Sequence, residues 1–127
     1  MTEPVREIDK DLLLAIQNAK GCRKSDIKTM IANGANPDAV DPTSGLRAIH
    51  IAARRGSLTI LKALLEDERV YADAVDPRGK VPYEWAQEFN HSQAEMLLVN
   101  EIIEKPNRYS LQSVREAKYH LQIRNEL

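Results

Sequence analysis

Asp38-Ala39-Val40-Asp41-Pro42 returns unchanged as Asp73-Ala74-Val75-Asp76-Pro77, 35 residues further along the chain. Recurrence at such a distance marks stacked supersecondary units, each too small to bury its apolar face alone. Aspartate and proline form turns, so the motif opens a loop, and its carboxylates serve the bend rather than a metal. What lies between the two copies decides the fold. Leu46 to Arg55 carries Ile49, Ala52 and Ala53 on one helical stripe, and Gly56 breaks it. Leu58, Ile60, Leu61, Leu64 and Leu65 then supply a second, strongly apolar helix. One unit is therefore a loop, a helix, a tight break and a helix.

The same order is legible on both sides. Residues 1–8 are polar, contain Pro4 and read as a flexible lead-in. A helix is expected to start at Asp9 or Asp11, either of which can cap it, and the run Leu12-Leu13-Leu14-Ala15-Ile16 calls for cover on more than one side. Gly21 and Cys22 belong to a turn, a second helix starts near Ser25 or Asp26 with Ile27, Met30 and Ile31 on one face, and Gly34 stops it. Downstream, Glu66 to Lys80 is again loop, and Pro82 suits a first helical position, where its missing N–H costs nothing. Tyr83, Trp85 and Ala86 continue that helix, Asn90 stands at the break, and Ala94, Leu97, Leu98, Val99, Ile102 and Ile103 form its partner. The units fall over about 9–40, 41–75 and 76–105, leaving a C-terminal segment over 106–127. There Ser110 suits an N-cap, and Leu111, Val114, Ala117 or Lys118, and Leu121 recur at helical spacing. This last helix either folds back over the open end of the stack, covering Leu97, Val99 and Ile103, or serves as an interaction tail.

Composition narrows the function. The 127 residues suffice for one domain, and with 43% hydrophobic but only 5% aromatic residues the core is aliphatic, which favours closely packed helices. A net charge of −1 gives no positive field to draw the chain onto nucleic acid or anionic lipid, and no run approaches the roughly 20 apolar residues of a membrane span. Cys22 has no partner for an internal disulfide, and no signal-peptide pattern stands in the first ten residues, so a cytoplasmic location is expected. His50, His91 and His120 are too scattered for a zinc site, and neither a phosphate-cradling glycine loop nor a nucleophile elbow is present. Arg23 and Lys24 flank Cys22, but no third group orients it, so it reads as an ordinary thiol. No cofactor and no catalytic set is expected. Asn90-His91-Ser92 and the terminal Arg124-Asn125-Glu126-Leu127 match a glycosylation acceptor and a retrieval tail, but both need secretory entry.

Arg47-Ala48-Ile49-His50-Ile51-Ala52-Ala53, followed by Gly56, Leu61 and Leu64-Leu65, resembles an ankyrin repeat, whose T-P-L-H-x-A pattern recurs about every 33 residues. Val81-Pro82-Tyr83-Glu84-Trp85-Ala86 is similar to that motif in a third unit, and Leu12-Leu13-Leu14-Ala15 keeps its apolar part in a first. The sequence departs from the pattern where Arg47 and Ala48 replace Thr and Pro, where Glu84 replaces His, and where Glu66-Asp67-Glu68 stands in place of the usual Gly.

The resemblance implies an all-α solenoid of three helix-turn-helix units with projecting loops. It implies a non-enzymatic module that binds another protein through those finger loops and through the concave face lined by the first helix of each unit. It also gives His50 a structural role, bonding backbone in the neighbouring loop, and places Tyr83 and Trp85 in the core. Carried over in register, the exposed partner-binding positions are Gln17 and Asn18 in the first unit, Thr43, Ser44, Leu46, Arg54 and Arg55 in the second, and Arg78, Lys80, Glu88 and Phe89 in the third. Arg54, Arg55, Arg78 and Lys80 around an aromatic would make a basic strip suited to an acidic segment of a partner. The chain is expected to be a monomer on its own. The rival expectation is a regulatory or bacterial-effector-type protein, present in a host cytosol, whose C-terminal helix carries recruitment or delivery.

Overall fold

A computed structural model describes residues 6–18 and 23–126. The first five residues of the expected lead-in, and the turn at Gly21 and Cys22, lie outside the described residues. Seven helices form among the described residues: α1 (Glu7–Gln17), α2 (Lys24–Ala32), α3 (Ala48–Arg55), α4 (Leu58–Leu65), α5 (Pro82–Glu88), α6 (Ser92–Glu104) and α7 (Leu111–Glu126). The only extended pairing among them is an isolated bridge between Val40 and Arg47 at the base of the first finger.

Local chemistry sets most helix starts. Ser57 Oγ accepts from Ile60 N–H at 3.3 Å to cap α4, Pro82 stands at the first turn of α5, and Ser110 Oγ accepts from Ser113 N–H at 3.1 Å to cap α7. The first helix corrects the expectation. It begins at Glu7, with Arg6 at the N-cap, and neither Asp9 nor Asp11 caps it. Asp9 instead accepts from Arg6 Nε at 3.0 Å and from Asn36 N–H at 2.8 Å, which ties α1 to the loop after α2. Burial alone would raise its pKa, but those donors hold it below the ordinary carboxylate value. In the apolar run, Leu12, Leu13 and Ile16 are buried, whereas Leu14 is 54% exposed, because successive helical residues turn by about 100° and Leu14 falls outside the faces of α1 that pack on α2 and α3. The third helix also starts later than expected, at Ala48 rather than Leu46.

The helices form two rows. Inner helices α1, α3 and α5 pack side by side, outer helices α2, α4 and α6 do the same, and α7 packs on α6. Ile49, Ile51, Ile60, Leu61, Leu64, Leu98 and Ile102 form the shared core between the rows. Gly56 takes a left-handed φ of 71° at the break between α3 and α4, a conformation that side chains disfavour. The two fingers touch where a Cβ on Gly45 would lie 2.6 Å from Pro77 Cγ. On α7, Val114 and Ala117 are buried and Leu121 is partly so. Ser113 Oγ donates to Asp73 Oδ2 at 2.7 Å, and the buried Glu95 of α6 is hydrogen-bonded to His120 and ion-paired with Arg124 Nε, the latter at 3.4 Å.

Candidate functional site on the concave face

The inner helices deliver their last turns to one place. Gln17 ends α1 and Asn18 follows it, Arg54 and Arg55 end α3, and Phe89 follows α5. Cations suit the negative end of a helix dipole, so the two arginines sit where α3 tolerates them best. Asn90 then takes φ 61°, and the chain turns so that His91 packs directly over Gly56, where no Cβ could fit. Gln17, Asn18, Arg54, Arg55, Phe89 and His91 line a cavity of about 630 Å³. Its walls hold two guanidiniums, two amides, an imidazole and a phenyl ring, and no carboxylate among the described residues.

A second cavity, of about 240 Å³, lies between the fingers. Thr43, Ser44 and Leu46 come from the first finger, Asp76, Pro77 and Arg78 from the second, and Arg54 and Trp85 from the inner helices. The first finger is fixed by Asp41, which accepts from Thr43 N–H and Ser44 Oγ, both at 3.0 Å. The second is fixed by Asp76, which accepts from Arg78 N–H at 2.9 Å, Lys80 N–H at 2.8 Å and Trp85 Nε1–H at 2.7 Å. Burial alone would push the Asp76 carboxyl up, but these donors hold it below its ordinary value, so it stays ionised with its charge shared among them.

Arg54 borders both cavities. Its Cζ stands 5.9 Å from the Trp85 ring centroid, and Lys80 Nζ stands 4.8 Å from the same centroid. Lys80 is also ion-paired with Glu88. Phe89, 46% exposed, lies against the side of this group with its ring 6.1 Å from that of Trp85.

The structure thus gathers Gln17, Asn18, Arg54, Arg55 and Phe89 in one cavity and Thr43, Ser44, Arg78 and again Arg54 around the other. Lys80 and Glu88 are ion-paired with each other beside Trp85, so two of the expected positions meet there. Leu46 is corrected from surface to interior: it is 5% exposed. Its carbonyl accepts from Asp41 N–H at 2.9 Å and its N–H donates to Ser44 Oγ at 3.2 Å, so the finger closes over its side chain. Sequence reasoning read Asp76 as serving the bend, which it does, but did not place it, His91 or Trp85 at these cavities. Asp76 carried a signal, since it belongs to the repeated motif, and His91 stands one repeat after Ser57, at the N-cap of α6 as Ser57 is at that of α4. Tyr83 and Trp85 are both buried, yet one part of Trp85 still borders the inter-finger cavity.

No group of His, Cys, Asp and Glu that could hold a metal ion occurs among the described residues, and none of their helices is long and apolar enough to cross a membrane. A comparison with curated proteins finds no match. Residues 12–108, which span α1 to α6, match the family described as ankyrin repeats, in three copies. With most of its length so matched, the chain belongs to the ankyrin repeat family, whose members are generally protein–protein interaction modules and typically non-enzymatic.

Proposed function

We propose that the chain binds an acidic segment of another protein across the concave face and the two fingers. The observation that carries this reading is the pair Arg54 and Arg55 in a cavity without a carboxylate: neither arginine, nor Arg78 at the second cavity, forms an ion pair among the described residues. A guanidinium accepts carboxylates in a bidentate fork, and side-chain amides such as those of Gln17 and Asn18 pair with the backbone of an extended ligand. Phe89 adds exposed apolar area, and Arg with large aromatics is the usual make-up of interface anchors. The rival reading, a recruitment tail, requires α7 to be available, whereas its Val114 and Ala117 are turned into the stack.

The test is affinity capture with the intact chain beside the double variant Arg54→Glu/Arg55→Glu. Loss of the retained partner at an unchanged thermal midpoint is the expected result, with each arginine contributing about 2 kcal/mol as a hot spot. Retention of the same partner by the charge-reversed protein would remove the proposal.

A further inference from the structure

Each inner helix is covered by its successor, α1 by α3 and α3 by α5. Among the described residues α5 has no inner-row successor: α7 packs mainly on α6 of the outer row and meets α5 through the rings of His120 and Tyr83. Between α5 and α7 a groove of about 530 Å³ remains, on the far side of α5 from α3.

The groove has an apolar lining with one carboxylate on each wall. The Tyr83 ring of α5 meets the His120 ring of α7 at a centroid separation of 4.7 Å. Tyr119 and Ile123, 65% and 39% exposed, stand four residues apart on α7, one above the other along the wall. Burial pushes the Tyr83 phenol up to about 12, with help from the charges of Glu84 and Glu116. These two carboxylates line the groove from opposite walls, Glu84 from α5 and Glu116 from α7. Two arginines also border the groove. Arg124 is already paired with the buried Glu95, which leaves Arg115 as the cation at the rim.

We propose that this groove docks a basic amphipathic helix of a partner protein in the place a fourth inner helix would take. The α3–α5 contact sets the shape: a helix lying beside α5 continues the inner row at ordinary interhelical distance. An apolar stripe on that helix meets Tyr83, Tyr119 and Ile123, and its Lys or Arg residues pair with Glu84 and Glu116. This surface lies on a different face from the Arg54 cavity and selects the opposite charge, so it stands or falls independently of the reading above.

The test uses a fluorescein-labelled, stapled helical peptide of about four turns with a Leu stripe flanked by Lys, and its twin with Glu for Lys. The Lys peptide is expected to bind saturably, to shift amide resonances around Tyr83 and Ile123, and to bind at least about tenfold tighter than the Glu twin. Ile123→Lys and Glu116→Lys change exposed side chains, and each should weaken the Lys peptide by about tenfold or more at an unchanged thermal midpoint. Should either variant melt early, Glu84→Lys probes the opposite wall in its place. Arg54→Glu/Arg55→Glu should bind the Lys peptide as the parent does. No binding at millimolar peptide, equal binding of the twins, or resonance shifts centred on Arg54 and Arg55 would each overturn the proposal. Self-association in sedimentation that Ile123→Lys abolishes would also overturn it, by assigning the groove to a second copy of the chain.

Discussion

His50 Nε2 lies 2.8 Å from the carbonyl oxygen of Ala74, so the inner helix of the second unit is bonded to the finger that opens the third. Its Nδ1 accepts from Arg47 N–H at 3.2 Å, which makes the ring neutral with the proton on Nε2. Glu84 occupies the matching place in α5 and keeps only the local bond, accepting from Val81 N–H at 3.1 Å. Burial lowers the His50 pKa, against the pull of the Ala74 carbonyl and Asp76. The folded state therefore holds the neutral ring while the unfolded chain takes up a proton. The stabilisation is complete above about pH 6.5 and is lost as pH falls through the lowered folded-state value. His50→Gln should cost roughly 1–3 kcal/mol at neutral pH, and thermal melts from about pH 7 to about pH 5 should fall less steeply than for the parent. Parallel pH curves would contradict this account.

Asp76 is the hub of the second finger, receiving two backbone N–H groups and the indole of Trp85. Asp76→Ala strands three donors, and urea unfolding should show a loss of about 2–4 kcal/mol. Because the folded-state pKa is depressed, the contribution is present above the ordinary carboxyl value of 3.8 and disappears as pH drops below it through the folded value. Trp85 is the sole tryptophan, so its emission should move to the red in this variant. An unshifted spectrum would mean that the indole does not depend on Asp76.

Gly56→Ala faces two separate penalties: a left-handed φ of 71° and a collision of the new Cβ with the His91 ring. The single variant should lose about 1–3 kcal/mol. Adding His91→Ala should restore the part owed to the collision and leave the part owed to φ. Full recovery in the double variant would show that backbone strain contributes nothing there.

Deleting residues 110–127 removes Val114 and Ala117 from the α6 face, and it strips Glu95 of His120 and Arg124 and Asp73 of Ser113. We predict at least about 2 kcal/mol of lost stability and increased binding of an apolar dye. A truncated chain that melts with the parent would instead favour the recruitment-tail reading.

The helix-turn-helix order of the units was legible in the sequence because it rests on relations a few residues long. The 35-residue recurrence, the apolar stripes of α3 and α4, Pro82 at the start of α5 and Ser110 at the cap of α7 are all local, and each holds in the structure. The gathering of Gln17, Asn18, Arg54, Arg55 and Phe89 was legible for a related reason: repeats stacked in register bring equivalent positions together.

Tertiary structure decided the rest, because burial and pairing depend on which neighbour a side chain meets. Leu46 looked like a finger residue and is closed under the finger by its own backbone bonds, whereas Leu14 looked like core and faces outward, off the sides of α1 that pack on α2 and α3. Lys80 and Glu88 cancel each other, a pairing across eight positions that no period announces. The repeat also says nothing about where a chain goes when it stops repeating. The helical spacing of α7 was written in its residues, but its place on α6, and the open groove this leaves beside α5, arise from packing between elements.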